Sequence, residues 1–388
     1  MSSHDGLRAV PVEDRAWLMA ALADALRGGG PVFPVPPGTD PEIVRALRDE
    51  PLPEGTAVVV RTSGSSGIPK AVALSASALR SSAEATHEAL GGGYGGGQWL
   101  VTLPGHLISG LQMLVRSEIA GTSPVFFDGP FDPVALLEAA DRMQHPRRYV
   151  SLVPVQLARL IDLAEREPAA AEVMRGFAGV LVGGQATPLP LRRRAHDLGI
   201  VLLRSYGMTE TAGGCVYDGV EIGDTRVRIR DGEVQIAGSC LALGYVGDAV
   251  LTASRFIEDR GRDGVSHRWY RTGDSGELLG GMLRVTGRLD RVILSGGVNV
   301  SLDEVERIAC EQPGWEGAVA VGVPDPEWGE RPVLVREGAA PAHSFDEVRK
   351  ALRSQLGAAA APDWVFEVDE LPRLPGGKPD RQAILNLL

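Results

Sequence analysis

The sequence has 388 residues, 44% hydrophobic and 23% charged, a composition typical of a globular protein with about two or three domains. Its formal net charge of −11, from 39 basic and 50 acidic residues, argues against a general nucleic-acid binder, because phosphate contacts require a basic face. The three cysteines are widely spaced and form no CxxC pair, which predicts reduced thiols in a cytoplasmic protein. The sequence shows neither a signal peptide nor an apolar run of about 18 residues, so no membrane span is predicted.

The first two-thirds of the chain alternates strand-like and helix-like segments. Thr56–Arg61 predicts a buried strand, and Ser75–Leu90 predicts a helix that begins at a hydroxyl cap and ends before Gly91. A helix is also predicted at Pro154–Arg166, and further strands at Trp99–Leu103, Pro124–Phe127, Tyr149–Val153, Gly179–Gly184 and Ile200–Leu203. This alternation predicts a mostly parallel sheet flanked by helices, with ligand-binding loops beyond the carboxyl ends of the strands.

The pattern changes near Thr225, where short alternating segments begin. An antiparallel meander or small barrel is predicted from Arg226–Arg230, Glu233–Ala237 and Leu241–Tyr245. After Arg291 a separate unit is predicted, with a helix that opens on a Ser301–Glu304 capping box, a strand at Ala318–Val323, a helix at Ser344–Leu356 and a strand at Trp364–Val368. The sequence therefore predicts an α/β protein with a large domain over residues 1–288, including a small β-barrel-like subdomain, and a small α+β domain over residues 289–388.

The stretch Thr62–Lys70 is the most informative part of the chain. It follows the apolar run Ala57–Val60 and combines hydroxyl side chains with two glycines and one lysine. Glycine allows backbone N–H groups to turn toward a phosphate, and the hydroxyls add donors, so the stretch predicts an anion-binding loop. It is not a Walker P-loop, because Pro69 and Lys70 follow Gly67 where that motif requires G-K-[ST]. A flexible surface turn is the alternative.

A second group of motifs lies just past the strand predicted at Ile200–Leu203 and further along the chain. In Ser205–Thr211, a tyrosine face can stack on a base, a threonine hydroxyl can contact a phosphate and a glutamate can bind Mg²⁺. In Trp269–Asp274, the final aspartate is predicted at a turn, where it can bind two ribose hydroxyls. The remaining motifs are Gly287–Arg291, Ser295–Gly297 and Pro375–Lys378.

In this order the motifs resemble the adenylate-forming superfamily of acyl- and aryl-CoA ligases, firefly-type luciferases and peptide-synthetase adenylation domains. The resemblance covers about residues 55–388 and implies ATP, Mg²⁺ and CoA as cofactors. It also implies that the small C-terminal domain is mobile and rotates about a hinge at Asp290 between two half-reactions.

The resemblance implies a role for each matching residue, with Lys378, Thr209, Glu210 and His106 as the catalytic group. The residues that it places around ATP are Thr62, Ser63, Ser65 and Lys70 at the pyrophosphate end, Gly183, Gly184 and Gln185 beside adenine and the acyl pocket, Ser205 and Tyr206 near adenine, Thr209 at the α-phosphate, Glu210 on Mg²⁺, and Asp274 with Arg288 at the ribose. The resemblance further implies that Lys378 contacts the carboxylate and the α-phosphate during adenylation, and that Gly296 and Gly297 form part of the pantetheine tunnel.

Three further stretches, Leu103–Gln112, Ser151–Leu157 and Gly213–Gly219, resemble the o-succinylbenzoate–CoA ligases of menaquinone biosynthesis, in particular the short actinobacterial form. This resemblance implies adenylation of the succinyl carboxylate with release of pyrophosphate, then transfer of the acyl group to CoA with release of AMP. The alternatives are another aryl- or acyl-CoA ligase, a stand-alone enzyme that loads a carrier protein, and a nucleotide-binding scaffold without turnover. A homodimer is also possible under each of these interpretations.

The pocket for the acid is expected to be lined by His106, Ser109, Gln112, Gln185 and Gly213. For His106 the alternative is a hydrogen-bonded core histidine, and for Arg116, a candidate for the benzoate carboxylate, the alternative is a helix-surface arginine. Cys215 is expected to be a small apolar filler. Only 61 residues precede Thr62, fewer than in longer members of the superfamily, which predicts a more open acyl pocket or a wall completed by a partner subunit.

Overall fold

The computed structural model describes residues 6–62, 70–91, 96–260, 264–338, 343–373 and 379–388. Within these ranges the chain forms four sheets, and helices pack against them. The helices in chain order are α1 Arg15–Leu26, α2 Pro41–Asp49, α3 Ala76–Ala89, α4 Ile108–Ala120, α5 Pro133–Asp141, α6 Pro154–Arg166, α7 Pro168–Arg175, α8 Leu189–Asp197, α9 Ala249–Arg255, α10 Leu302–Cys310, α11 Phe345–Leu356 and α12 Arg381–Leu385. In the described part of the chain, none of these helices has the length and apolar character needed to span a bilayer.

The strands are numbered separately and fall into an N-terminal set, a central set and a C-terminal set. The N-terminal and central strands are β1 Arg8–Pro11, β2 Val32–Val35, β3 Thr56–Thr62, β4 Lys70–Ser75, β5 Gln98–Val101, β6 Val125–Phe126, β7 Arg148–Leu152, β8 Gly179–Gly183, β9 Leu202–Met208, β10 Gly213–Tyr217 and β11 Val220–Glu221. The later strands are β12 Arg226–Arg230, β13 Glu233–Ala237, β14 Gly244–Tyr245, β15 Phe256–Arg260, β16 Ser266–Leu279, β17 Met282–Arg288, β18 Val292–Ser295, β19 Val298–Ser301, β20 Val319–Asp325, β21 Gly329–Glu337 and β22 Val365–Val368.

The central sheet has seven strands in the order β11-β10-β9-β8-β7-β5-β6, and β6, β5, β7, β8 and β9 run parallel. Alternate residues of these strands enter two different cores. Trp99 and Tyr149 pack with α1, α3 and α4, whereas Leu100 and Val150 pack with α5 to α8. Burial on both faces explains why the strands are almost continuously apolar, and the predicted parallel sheet flanked by helices is confirmed.

A second sheet, in the order β1-β2-β3-β4-β14, contains a strand that was not predicted from the sequence. This strand, β4, pairs antiparallel with β3, so Thr62 and Lys70 at the two ends of the predicted anion-binding loop lie opposite each other. The six residues of β4 end at Ser75, which also caps α3 by accepting a hydrogen bond from the Ala78 N–H. Because the residues before α3 were interpreted from the Ser75 helix cap, the short strand β4 was not predicted.

The third sheet is antiparallel, in the order β12-β13-β16-β15, with β17 paired to β16. It occupies the place of the predicted small β-barrel-like subdomain, and two of the three predicted strands have the expected bounds. The prediction for Leu241–Tyr245 is wrong in part. Only Gly244 and Tyr245 form a strand, and β14 joins β4 of the second sheet because the Leu243 N–H donates to the Ala73 carbonyl at 2.8 Å.

The fourth sheet, in the order β19-β18-β21-β20 with β22 beside β21, forms with α10 and α11 a separate hydrophobic cluster that begins at Ile293. Ser301 caps α10 as predicted, at 3.3 Å from the Glu304 N–H. The Glu304 carboxylate pairs with Arg307 at 2.9 Å, and so the expected reciprocal half of the box is absent from the described contacts. The domain boundary after residue 288 and the rotation about Asp290 stay predictions.

Candidate active site

The carboxyl ends of β8 and β9 lie side by side and bring two predicted motifs together. Gly183 is in register with Ser205, and a Cβ atom at Gly183 would lie 3.0 Å from the Ser205 carbonyl oxygen. The chain then turns at Gly184, which has a left-handed φ of +81°, and Gln185 is exposed. The motif Ser205–Thr211 was expected just past a strand, but β9 extends through Met208, because residues 205–208 pair with β10.

Tyr206, Asp274 and Arg288 form one connected polar cluster. The Tyr206 hydroxyl donates to Asp274 Oδ2 at 2.6 Å, and Arg288 Nη1 donates to Asp274 Oδ1 at 3.0 Å. The prediction of Asp274 at a turn is wrong, because it lies within the 14-residue strand β16, directly after Gly273 with φ +74°. The left-handed glycine distorts the strand locally, and Asp274 is only 7% exposed.

The electrostatics of this cluster follow from burial and mutual charge. Burial raises the pKa of Asp274, although the Tyr206 hydrogen bond and the Arg288 charge oppose that rise. Burial and then the Asp274 carboxylate raise the pKa of Tyr206 well above its ordinary value, so its hydroxyl stays protonated and donates. Burial opposes the ionisation of Arg288, but the carboxylates of Asp290 and Asp274 together raise its pKa. The cluster is therefore a carboxylate with both oxygens occupied by donors.

Arg288 also connects this cluster to the predicted hinge. Its Nε and Nη2 atoms donate to the two carboxylate oxygens of Asp290 at 3.1 and 3.2 Å. Its backbone N–H donates to Asp303 Oδ2 at 2.6 Å, and Asp303 is on α10. A single arginine thus joins Asp274, the predicted hinge residue Asp290 and α10.

A third group of side chains surrounds Glu210, in the 3₁₀ turn Thr209–Thr211. The Tyr245 hydroxyl donates to Glu210 Oε1 at 2.8 Å, and the Tyr270 hydroxyl lies 3.5 Å from that of Tyr245. Lys70 Nζ lies 5.8 Å from the centroid of the Tyr245 ring, within reach of a cation–π interaction. Thr209, at the head of the same turn, is buried. Lys70 and Glu210 thus both lie beside Tyr245, with Thr209 next to Glu210 in the turn, and the contacts of these residues with the phosphates and Mg²⁺ stay predictions.

Three side chains that lie next to these groups were not predicted from the sequence, namely Tyr245, Tyr270 and Glu233. Burial and then the Glu210 charge raise the pKa of both Tyr245 and Tyr270, so the phenols stay protonated beside the carboxylate. Glu233, 4% exposed, accepts a hydrogen bond from the Gly273 N–H at 3.0 Å and so holds the backbone before Asp274. Aromatic residues make up only 5% of the chain, so Tyr245 directly after Gly244 and Tyr270 within the Trp269–Asp274 motif were the available signals.

The residues predicted for the acid lie mainly along α4 and the loop before it. His106 is half-buried, burial lowers its pKa, and its Nδ1 atom has no hydrogen-bond partner among the described residues. The alternative interpretation, a hydrogen-bonded core histidine, is therefore not supported at Nδ1. Ser109 is exposed in the first turn of α4. Gln112 is buried and donates to the Ala212 carbonyl at 2.6 Å, with its Cγ placed 3.0 Å from a Cβ built on Gly213.

Arg116 is not the surface residue of the alternative interpretation. It is 3% exposed, its guanidinium carbon lies 4.8 Å from the centroid of the Trp99 ring, and Nη2 lies 3.5 Å from the Tyr217 hydroxyl. No carboxylate pairs with it in the part of the chain that the structure describes, and its Nε has no partner there. Burial lowers the pKa of Arg116, and burial and then Arg116 itself lower the pKa of His87 to about 4.

Some predicted residues lie elsewhere or outside the described ranges. Gly296 and Gly297 form the two-residue turn between β18 and β19, with φ of +56° and +79°. Ser63, Ser65 and Lys378 lie outside the described residues. Cys215 is buried, and burial raises the pKa of its thiol well above the ordinary value, as expected for an inert apolar filler.

The described residues contain no group of three or more His, Cys, Asp or Glu side chains that could hold a metal ion. A single carboxylate still fits Mg²⁺, because this ion keeps several waters and takes its remaining ligands from one or two carboxylates and the phosphates of a substrate. Glu210 has one oxygen fixed by Tyr245, and its other oxygen accepts no hydrogen bond from any described residue. The donor set therefore fits a nucleotide-bound magnesium ion and not a dedicated metal cage.

Comparison with known proteins agrees with this geometry. The chain matches the AMP-binding enzyme family over residues 34–246 and the AMP-binding enzyme C-terminal domain over residues 304–378. It is 36% identical over 379 residues to a probable 2-succinylbenzoate–CoA ligase of Mycobacterium tuberculosis, covering 95% of this chain and 94% of that protein.

Two solved structures share the fold. The o-succinylbenzoate CoA synthetase MenE from Bacillus subtilis, in complex with the acyl-adenylate intermediate OSB-AMP, is 26% identical with a TM-score of 0.73, covering 96% of this chain and 80% of that one. The amide bond synthetase McbA from Marinactinospora thermotolerans is 28% identical with a TM-score of 0.72, covering 99% and 80%. The matches to the family, together with a relative 36% identical over nearly its whole length, establish that this chain belongs to the AMP-binding enzyme family.

Proposed function

We propose that this enzyme is a 2-succinylbenzoate–CoA ligase that uses ATP and acts in menaquinone biosynthesis. The observation that carries the choice of acid is Arg116, a buried guanidinium without a carboxylate partner among the described residues. A buried cation without a counter-ion is costly, so the site favours a ligand that brings the missing anion. 2-Succinylbenzoate has two carboxylates, and only the succinyl one reacts, which leaves the benzoate for Arg116. The names of the Mycobacterium tuberculosis and Bacillus subtilis relatives support the same acid.

The nucleotide half of the proposal rests on the two polar clusters. Asp274 exchanges one or both of its donors for the ribose hydroxyls, and Tyr206 presents its ring to adenine beside Gly183 and Gly184. Thr209 contacts the α-phosphate, and Lys70 neutralises the β- and γ-phosphates together with Thr62 and the serines of the loop. Glu210 would hold a magnesium ion on the phosphates, which adds positive charge where negative charge develops.

The first half-reaction joins two anions. An oxygen of the succinyl carboxylate attacks the α-phosphorus, the bond from the α-phosphorus to the bridging oxygen breaks, and pyrophosphate leaves with that electron pair. The positive charge of Lys70 and of Lys378 stabilises the transition state, because fixed charges in a site without water act most strongly on charge that develops there.

The second half-reaction replaces AMP by a thiol. The sulfur of CoA attacks the acyl carbonyl carbon, the bond from that carbon to the phosphate oxygen breaks, AMP leaves and the thiol proton passes to the solvent. Lys378 must leave the carbonyl first, so residues 289–388 rotate about Asp290 and the Gly296–Gly297 turn forms part of the pantetheine tunnel. His106, neutral because burial lowers its pKa, lines the acyl pocket and can gate the approach of the thiol.

The decisive experiment combines purified enzyme with 2-succinylbenzoate, ATP, Mg²⁺ and CoA and follows the release of AMP and pyrophosphate. We expect one AMP for each thioester formed. A failure to release AMP with this acid, in a preparation that exchanges pyrophosphate into ATP with other aryl acids, would refute the choice of substrate. Lys378→Ala should abolish the exchange, and a scaffold would have no exchange to lose.

A second candidate function differs in the acceptor. The likeness to an amide bond synthetase makes an amine or a carrier-protein thiol a real competitor to CoA as the group that attacks the adenylate. The preformed acyl-adenylate, offered in turn to CoA, to a phosphopantetheinyl protein and to a primary amine, separates these acceptors by the rate of AMP release. We expect CoA to be fastest.

The proposed partners are the acid, ATP and CoA, with no nucleic acid, in keeping with the net charge of −11. We place the reaction in the cytoplasm, where ATP and CoA are available and where the three free thiols stay reduced. A homodimer is a further proposal, which light scattering on the purified chain can test.

A further inference from the structure

We infer that Tyr245 is a positioning residue, which fixes the Glu210 carboxylate through its hydroxyl and the Lys70 ammonium through its ring. The inference rests on the proposed function, in which Glu210 holds magnesium and Lys70 faces the phosphates. One side chain would then set the distance between the Lys70 ammonium and the magnesium ion at Glu210, the two positive charges proposed to neutralise the triphosphate.

The contacts of Tyr245 point to this role. The hydroxyl lies 2.8 Å from Glu210 Oε1, so the carboxylate is held in one rotamer with its second oxygen left for a cation. The face of the same ring lies 5.8 Å from Lys70 Nζ. Since Lys70 opens β4 and Glu210 follows β9, the side chain of Tyr245 spans two different sheets.

Tyr245 is itself held from several sides. Its backbone N–H donates to Thr252 Oγ1 at 2.9 Å, and β14 pairs it with Val72. Its ring lies 6.0 Å from that of Phe256, and Phe256 lies 4.9 Å from Tyr270. The backbone of the turn is anchored as well, because the Ala242 N–H donates to the Glu210 carbonyl at 2.8 Å. A carboxylate supported in this way needs little reorganisation when an ion binds.

If Tyr245 had only a structural role, its hydroxyl would not be needed. Packing against Phe256 needs only the ring, and a phenylalanine would supply it. The hydroxyl instead reaches a charged acceptor. Partners of this kind, which orient a metal-binding group without touching the metal, typically change metal affinity by about 10- to 100-fold when they are removed.

The test measures metal binding in the absence of turnover. The full chain, saturated with the α,β-methylene analogue of ATP, is titrated with Mn²⁺, and free Mn²⁺ is followed by electron paramagnetic resonance. For Tyr245→Phe we expect Mn²⁺ binding to weaken by about tenfold or more with unchanged nucleotide affinity in the absence of metal. Tyr245→Leu, which also removes the ring from Lys70, should in addition weaken the metal-free nucleotide complex.

Tyr270→Phe is the matched control, because it removes a neighbouring buried hydroxyl that has no described hydrogen bond to Glu210. It should change Mn²⁺ affinity by less than about threefold, since a neutral hydrogen bond contributes little. Far-UV circular dichroism and the thermal midpoint confirm that each variant is folded. The inference is overturned if folded Tyr245→Phe or Tyr245→Leu binds Mn²⁺ as tightly as the parent, or if Tyr270→Phe loses as much as Tyr245→Phe.

Glu210→Gln separates this inference from the proposed function. If it leaves Mn²⁺ binding unchanged, Glu210 is not the metal-binding group and the proposed function is wrong at that residue. If it weakens Mn²⁺ binding while Tyr245→Phe does not, only the role of Tyr245 is refuted. In the double variant, the loss should be no larger than that of Glu210→Gln alone, because both changes remove the same interaction.

Discussion

The proposed ribose side of the site, around Asp274, and the proposed acyl side, with His106, Gln112 and Arg116, differ in whether their buried polar atoms have hydrogen-bond partners. Around Asp274, both carboxylate oxygens are occupied by protein donors, and the arginine that supplies one of them has a second carboxylate in Asp290. On the acyl side, by contrast, each of three residues predicted for the acid has a buried atom without a partner among the described residues, namely His106 Nδ1, Gln112 Oε1 and Arg116 Nε.

The difference indicates how each side gains affinity. A nucleotide must compete with internal partners at Asp274, which costs binding energy but keeps the carboxylate oriented. An acid at the other side supplies partners that the protein lacks, so each polar contact there relieves a penalty already present in the free enzyme. Four changes test whether this contrast is real.

The largest effect is expected from Asp274→Ala. It leaves the Tyr206 hydroxyl and one Arg288 donor without their acceptor in a buried site, a loss of about 3 to 5 kcal/mol. The value of kcat/KM for ATP in the pyrophosphate exchange should therefore fall by about 10²- to 10⁴-fold. Asp274→Asn, which keeps one acceptor oxygen, should lose less. A fall of under about tenfold in the alanine variant would mean that the cluster does not bind the ribose.

The second prediction concerns acid stability at His87, which lies 3.5 Å from Trp99 Nε1 on the acyl side. Its pKa is lowered from 6.5 to about 4, so the unfolded chain binds the proton first, and stability is lost as the pH falls from 6.5 to about 4. The loss from this site is about 3 kcal/mol in the free energy of unfolding. His87→Gln should flatten that part of the profile in urea denaturation, and an unchanged slope would contradict the burial of a neutral imidazole beside Arg116.

The third prediction is a change of specificity at Arg116. Arg116→Met should lower kcat/KM for 2-succinylbenzoate by about 10- to 100-fold. This range corresponds to the loss of a charge-assisted hydrogen bond, which contributes about 1.5 to 3 kcal/mol. It should leave 4-oxo-4-phenylbutanoate, which lacks the ring carboxylate, unaffected. The free energy of unfolding should stay equal or rise, because a buried charge is removed. Equal losses for the two acids, measured by AMP release, would show that Arg116 does not select the benzoate.

The sequence predicted those parts of the fold that local patterns encode. The alternation of apolar runs and helices located the parallel strands, and α6 begins and ends at the predicted residues. It could not predict β4, because a six-residue strand between a glycine-rich loop and a helix cap has no pattern of its own. It also placed Asp274 at a turn, whereas pairing with β17 draws that residue into a strand.

The site shows the same limit. The motifs located Tyr206, Glu210 and Asp274, because the type and spacing of these residues carry chemistry. Tyr245 was missed because it meets Glu210 across 35 positions in sequence, through the pairing of β14 with β4. The burial of Arg116 was equally hidden. Every residue from Gly110 to Ser117 of α4 is buried, and a helix enclosed on all sides does not reveal its surroundings by periodicity.

The smallest effect is expected from Tyr206→Phe, which keeps the ring and removes one donor to Asp274. Arg288 still neutralises the carboxylate, so kcat/KM for ATP should fall only by about fivefold at pH 7. The pH profile is more informative. Burial raises the pKa of Asp274 above 3.8, and ribose binding needs the ionised form, so activity falls as the pH drops through that raised value. Loss of the Tyr206 donor destabilises the carboxylate further, and the acid limb of kcat/KM should move to higher pH. If the limb stays in place, another group controls it, and the ribose side is less tightly coupled than its hydrogen bonds indicate.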